Sequence, residues 1–167
     1  MMQWLHEQGV PLNVADEDGD QPIHCAAGGG HLAIIQWLHE RGVPLDVAGN
    51  DGTQAIHAAA VNGHLAIIQW LHERGVPLDV ANTTDDGRQP IHYAAMFGQL
   101  AIIQWFHKRG VPLDVASDSG RQPIDFALRN SHRPHHQAVV KWLREQTVAM
   151  AHARPRGGDG DGARWAQ

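Results

Sequence analysis

Tryptophan recurs at positions 4, 37, 70, 105 and 142, at intervals of 33, 33, 35 and 37 residues, and the surrounding text recurs with it. His31 to Asp46 reappears letter for letter as His64 to Asp79. Gln99 to Asp114 repeats it with three substitutions, and Trp4 to Asn13 is a partial copy. A period of this length limits the possible folds more than any other feature of the chain. Each unit is too short to bury its own apolar face, so the units must stack and share a core that runs along the array.

A second motif keeps the same period: Gln21-Pro-Ile-His-Cys-Ala-Ala27, Gln54-Ala-Ile-His-Ala-Ala-Ala60, Gln89-Pro-Ile-His-Tyr-Ala-Ala95 and Gln122-Pro-Ile-Asp-Phe-Ala-Leu128. Pro22, Pro90 and Pro123 suit the first position of a helix, where a missing N–H costs nothing. A first helix is expected over 22–29, 55–62, 90–97 and 123–130, ended by left-handed glycines at Gly30, Gly63 and Gly98. A second is expected over 32–40, 65–73, 100–108 and 137–146, with Gly42, Gly75 and Gly110 ending the first three. In the first copy Leu32, Ile34, Ile35, Trp37 and Leu38 leave only Ala33, Gln36 and Glu40 for solvent, so this helix must be covered on several sides. Each tryptophan buries on the order of 200 Å², and the tryptophan ladder reads as core. The Asp/Gly-rich stretches 16–20, 49–53, 82–88 and 117–121 are turn chemistry.

These features resemble the ankyrin repeat family, through the period of 33, the Pro22-Ile-His24 opening, Gly30-His31 and Gly63-His64 between the helices, and Gly42 at the close. The resemblance covers roughly residues 1–146. Gln21, Gln54, Gln89 and Gln122 stand where the family has threonine, and Val43 to Asp46 replaces the family's usual close. The resemblance implies an all-α solenoid of helix–turn–helix repeats with projecting β-hairpin or turn fingers. It also implies that His24, His57 and His92 bridge repeats by hydrogen bonds. The expected organisation is a partial repeat at 1–15 with the second helix alone, repeats at 16–48, 49–81 and 82–116, a divergent capping repeat at 117–146, and a disordered tail at 147–167.

Little in the chain suggests chemistry. His24, His31, His39, His57, His64, His72, His92 and His107, with His6, hold repeated positions and read as structural. His132, His135 and His136 fall in a four-residue insertion between the helices of the last repeat. They read as a solvated basic loop, with weak binding of zinc, nickel or copper as the alternative. Cys25 takes a first-helix position held elsewhere by Ala58, Tyr93 and Phe126, and reads as packed and inert. One cysteine forms no intramolecular disulfide and no four-cysteine zinc site. No phosphate loop, nucleophile triad or carboxylate pair stands out, so no enzyme and no cofactor is expected. The absence of a signal peptide or apolar span points to the cytoplasm or nucleus.

Charge is unevenly spread. Residues 1–86 hold 2 basic and 12 acidic side chains, residues 87–146 hold 8 and 4, and the remainder holds 3 and 2. A net charge of -5 argues against nucleic acid or membrane as the main partner. The reading favoured here, by analogy with the family, is a non-catalytic protein–protein interaction scaffold that binds through its fingers and first-helix faces. The sites expected are where the copies differ: Asp18 and Asp20 in the first finger, Asn62, Met96 and Phe97 before the inter-helix glycine, and Arg88 and Arg121 in the later fingers beside Met96 and Phe97. The alternatives are a structural fragment of a longer array and metal binding by the histidine loop. Trp4 and Leu5, at an uncapped N-terminal edge, suggest head-to-tail self-association. The insertion within Asn82 to Asp86 lengthens one finger by two residues, and removing Thr83 and Thr84 is expected to leave stability unchanged.

Overall fold

The computed structural model of the chain describes residues 7, 9, 11–83 and 86–153. Trp4, Leu5 and most of the expected partial repeat lie outside the described residues, as do Thr84, Asp85 and the chain from 154 onward. Eight helices run through the described part: α1 Pro22–Gly28, α2 Leu32–Glu40, α3 Ala55–Asn62, α4 Leu65–Glu73, α5 Pro90–Met96, α6 Leu100–Lys108, α7 Pro123–Leu128 and α8 Pro134–Ala153. Within each repeat the two helices pack on each other. The first helices form a continuous row, α1 on α3 on α5 on α7. Among the described residues there is no strand, only an antiparallel bridge, Ala48–Gln54, at the base of the second finger. The architecture is an all-α repeat solenoid, and none of these helices is long and apolar enough to cross a membrane.

The close approach of the first helices follows from their alanines. Ala27, Ala59, Ala60, Ala94 and Ala95 are fully buried, and with no side chain beyond Cβ they let neighbouring backbones meet. Second-helix residues Ile35, Leu38, Ile68, Leu71, Ile103 and Phe106 fill the space behind them. Gly63 takes φ +84° to end α3, and a Cβ there would sit 2.6 Å from Oε1 of Gln99 in the next repeat. Glycine is therefore required twice over, by the backbone and by the neighbour.

Two sets of side-chain bonds fasten the repeats. Nδ1 of His24, His57 and His92 accepts the backbone N–H of Gln21, Gln54 and Gln89 at 2.9, 3.1 and 3.0 Å. That fixes the tautomer: Nε2 carries the proton and donates to the carbonyls of Val47, Val80 and Val115 at 2.9, 3.0 and 3.0 Å. Each valine lies on the arm that leads from a second helix into the next finger. The glutamine in place of threonine is thus no obstacle, because the backbone of that residue supplies the bond. The second set runs backwards along the chain. His64 Nε2 donates to the carbonyl of Gly28, Gln99 Nε2 to Val61 and His136 Nε2 to Met96, at 2.9, 3.0 and 2.8 Å.

The finger tips are joined by one backbone bond per pair: Asn50 N–H to Asp18, Thr83 N–H to Asp51 and Asp118 N–H to Asp86. These bonds set the register of the third finger. Thr83 occupies the position of Asn50 and Asp86 that of Asp51, so the two added residues are Thr84 and Asp85. Thr83 belongs to the ladder and not to the insertion.

The structure corrects several expectations. α1, α5 and α7 stop at Gly28, Met96 and Leu128, one or two residues early. α8 begins at Pro134 and not at 137, because proline starts a helix well; part of the four-residue insertion becomes an added turn. α8 also runs to Ala153, through the first seven residues of the expected disordered tail. Thr147 stands where Gly42, Gly75 and Gly110 end the earlier second helices, so nothing stops this one, and its hydroxyl bonds back to the Leu143 carbonyl at 2.9 Å. The tryptophans are not all core: Trp70 is buried, while Trp37, Trp105 and Trp142 are half-buried.

Candidate functional site

The first helices turn one face away from the second helices, and two rows of equivalent residues run along it. One row is Gly28, Val61, Met96 and Arg129; the next is Gly29, Asn62, Phe97 and Asn130. Along the first, the surface passes from bare backbone through a small and then a large apolar side chain to a cation. Phe97 caps α5 and keeps 44% of its surface exposed, with Met96 half-buried beside it. Asn62 is exposed, and its amide donates to the carbonyl of Ala58 at 3.1 Å. Arg88 precedes α5 and Phe97 follows it, so they stand at opposite ends of the helix, about 10 Å apart along its axis. The expected neighbourhood of Phe97 with Arg88 is corrected accordingly: both belong to the same repeat, but they are not in contact.

The first finger is closed by Asp16, whose carboxylate accepts the N–H groups of Asp18 and Asp20 at 3.0 and 2.8 Å. Asp18 is exposed and Asp20 half-buried. Burial raises the Asp20 carboxyl above its ordinary range, and Asp16, Asp51 and Asp18 push in the same direction. His24, whose Nδ1 lies 3.7 Å from Asp20, pulls the carboxyl the other way but does not outweigh burial. In the later fingers the arginines stand among partners. The Arg88 guanidinium lies 5.0 Å from the centre of the Phe126 ring. Hydrogen bonds from Ser119 and Ser117 hold the Asp86 carboxyl below its ordinary range, and the charge of Arg121 adds to that lowering.

The rings of His135 and His136 lie 4.5 Å apart, but the three histidines of the last repeat do not form one ligand set. His132 and His135 are exposed, whereas His136 is 2% exposed and spends its Nε2 proton on Met96. It takes the role of His64 and Gln99, which makes it a fastening residue; the reading of all three as one solvated loop is corrected. Among the described residues no group of three or more His, Cys, Asp or Glu side chains is placed to hold a metal ion. Cys25 is also corrected. It is exposed and not packed, whereas its equivalents Tyr93 and Phe126 are buried and meet His57 and His92 of the preceding repeat edge-on.

Sequence reasoning missed a stripe on the second helices. The guanidinium groups of Arg41, Arg74 and Arg109 lie 4.0, 3.7 and 5.1 Å from the ring centres of Trp37, Trp70 and Trp105. His39, His72 and His107 meet Trp70, Trp105 and Trp142 of the following repeat edge-on at 5.6–5.7 Å. The signal was present: arginine stands four residues after each of these three tryptophans, one helical turn away. A buried polar pair, Asn82 Nδ2 to the Tyr93 hydroxyl at 2.7 Å, was also missed, because it joins a finger to a helix face that differs in every copy.

A family model described as ankyrin repeats (many copies) matches residues 1–39, 29–72 and 56–107. No curated protein matches the chain.

Proposed function

The chain belongs to the ankyrin repeat family, and from that premise we propose that it is a non-catalytic scaffold that binds a protein partner through its fingers and first-helix faces. Ankyrin repeats generally serve as protein–protein interaction modules. The observation that carries the reading for this chain is Phe97. Its equivalents are Gly29, Asn62 and Asn130, so stacking of repeats does not call for an aromatic ring there, yet the ring stands 44% exposed beside Met96. A large, partly exposed aromatic side chain on an otherwise small-residue face has the composition of an interaction hot spot.

The test is to pan an unbiased library of displayed 20-residue peptides against the full chain. Phe97→Ala is expected to weaken the selected binders about tenfold or more, roughly 1.4 kcal/mol, without lowering the melting temperature. The paired change Gln36→Ala and Gln69→Ala, on the second helices, leaves binding unchanged. Binders that ignore Phe97→Ala and respond to the second-helix changes would overturn the reading.

A further inference from the structure

The face that carries Phe97 is also electrically ordered along the array. At its first end are the carboxylates of Asp16, Glu17, Asp18 and Asp20, with Asp51 one finger on. Asp16, Glu17, Asp18 and Asp51 are exposed and Asp20 is half-buried. Residues 1–86 contain no lysine and only two arginines, Arg41 and Arg74. Both guanidinium groups lie against Trp37 and Trp70 on the second helices, so neither is turned to the first finger. The Nδ1 of His24, 3.7 Å from Asp20, is occupied by the Gln21 N–H. At the other end Arg129 and Arg133 are exposed beyond α7, while the last finger carries the half-buried Arg121 and still the exposed Asp118. The row Gly28, Val61, Met96, Arg129 is uncharged until it ends in a cation, so the cationic end rests on Arg129 and Arg133.

Resting on the scaffold reading above, we propose that the partner is a single polypeptide segment with its own charge order. It carries a cationic cluster over the first finger, an apolar side chain against Met96 and Phe97, and carboxylates over Arg129 and Arg133. First helices packed face to face stand about 10 Å apart. The first finger lies two repeats from Phe97 and at the other end of the first helices, so the cationic cluster and the apolar anchor are separated by about 20 Å along the array and about 10 Å across it, about 22 Å in all, and the anchor and the carboxylates by about 10 Å. In an extended segment those spans are about seven and three residues. A uniformly basic or uniformly acidic segment would meet repulsion at one end, so charge order and not net charge selects the partner.

The peptides selected by panning decide the matter. The expected result is enrichment of a basic–apolar–acidic order at that spacing. A synthetic peptide of that order should bind the full chain at least tenfold tighter than one of the same composition with its charges interspersed. The difference should shrink as salt rises from 0.05 to about 0.5 M, where screening is strong. Glu17→Lys with Asp18→Lys, and separately Arg129→Glu with Arg133→Glu, should each abolish the preference. These four side chains are exposed, so the melting temperature serves as the control for folding. Binders that need Phe97 but show no charge order would overturn this proposal and leave the scaffold reading standing. Binders indifferent to Phe97 would overturn both, and failure to enrich ordered peptides would overturn the proposal.

Discussion

The ring of His57 is fully buried and bonded on both sides, accepting the Gln54 N–H at Nδ1 and donating from Nε2 to the Val80 carbonyl 3.0 Å away. Its counterpart in the last repeat, Asp125, accepts the Gln122 N–H at 2.8 Å and is exposed. α8 runs on where the earlier second helices end, so among the described residues no following arm offers a carbonyl to residue 125. His57→Ala removes the ring and leaves a buried donor and a buried acceptor unpaired, and should cost about 3–5 kcal/mol. Asp125→Ala, which removes an exposed cap, should cost about 0.5–1 kcal/mol. Urea unfolding of the two variants checks the ratio; equal losses would count against the assignment.

The same burial gives a pH dependence. Desolvation lowers the pKa of His57 from 6.5 to about 4, and that of His92 also falls for the same reason. Between those two pH values the unfolded ring binds a proton that the folded ring refuses. Stability from His57 is therefore complete above about pH 6.5 and is lost as pH falls towards 4, by up to ~3 kcal/mol. Denaturation midpoints measured from pH 7.5 to 4.5 should fall, and His57→Gln should flatten the slope. A slope unchanged by that substitution would show that other groups govern acid unfolding.

Two left-handed glycines separate backbone strain from fastening. Gly42 has φ +85° and open space around it, with nothing within 4 Å of where a Cβ would stand, whereas a Cβ at Gly30, φ +78°, would lie 2.7 Å from the His64 ring. Gly42→Ala should cost about 1–2 kcal/mol from the left-handed backbone alone. Gly30→Ala should cost that and about 1–2 kcal/mol more, because displacing His64 breaks its bond to Gly28. Thermal melts of both variants, with His64→Ala as a third arm, test whether the excess disappears once the imidazole is gone.

Deleting Thr84 and Asp85 should shift the melting temperature by less than about 2 °C, since a change in the length of a finger puts well under 1 kcal/mol at stake. Thr83 stays in place and keeps its bond to Asp51. A loss of several degrees would give the added pair a packing role.

The sequence made the elements legible wherever the repeat was strict. Ala55–Asn62, Leu65–Glu73, Leu32–Glu40 and Leu100–Lys108 begin and end where the proline, alanine and glycine signals put them. It misled where a repeated position changed its residue. Thr147 in place of glycine let α8 run on, and His136 in place of Gln99 kept a role that the inserted residues disguised. Placement of the candidate site was partly legible. Difference between copies singled out Phe97, but spacing along the chain put Arg88 beside it, although one is before and the other after the same helix. Cys25 could not be placed from periodicity alone, since its equivalents Tyr93 and Phe126 are buried while it is exposed, and the arginine–tryptophan stripe lay in a four-residue spacing and not in the period.

Each of the three junctions between the four described repeats is held at both ends of a first helix. His24, His57 and His92 tie the N-terminal end of the first helix to the arm that leads out of its own repeat into the next finger, and His64, Gln99 and His136 bond back to the C-terminal end of the preceding first helix. A joint pinned on one side can swing; one pinned on both sides in opposite senses cannot. The pitch from Asp18 to Phe97 to Arg129 is then set before any partner arrives, and a partner of matching length spends none of its binding energy on ordering the surface it meets.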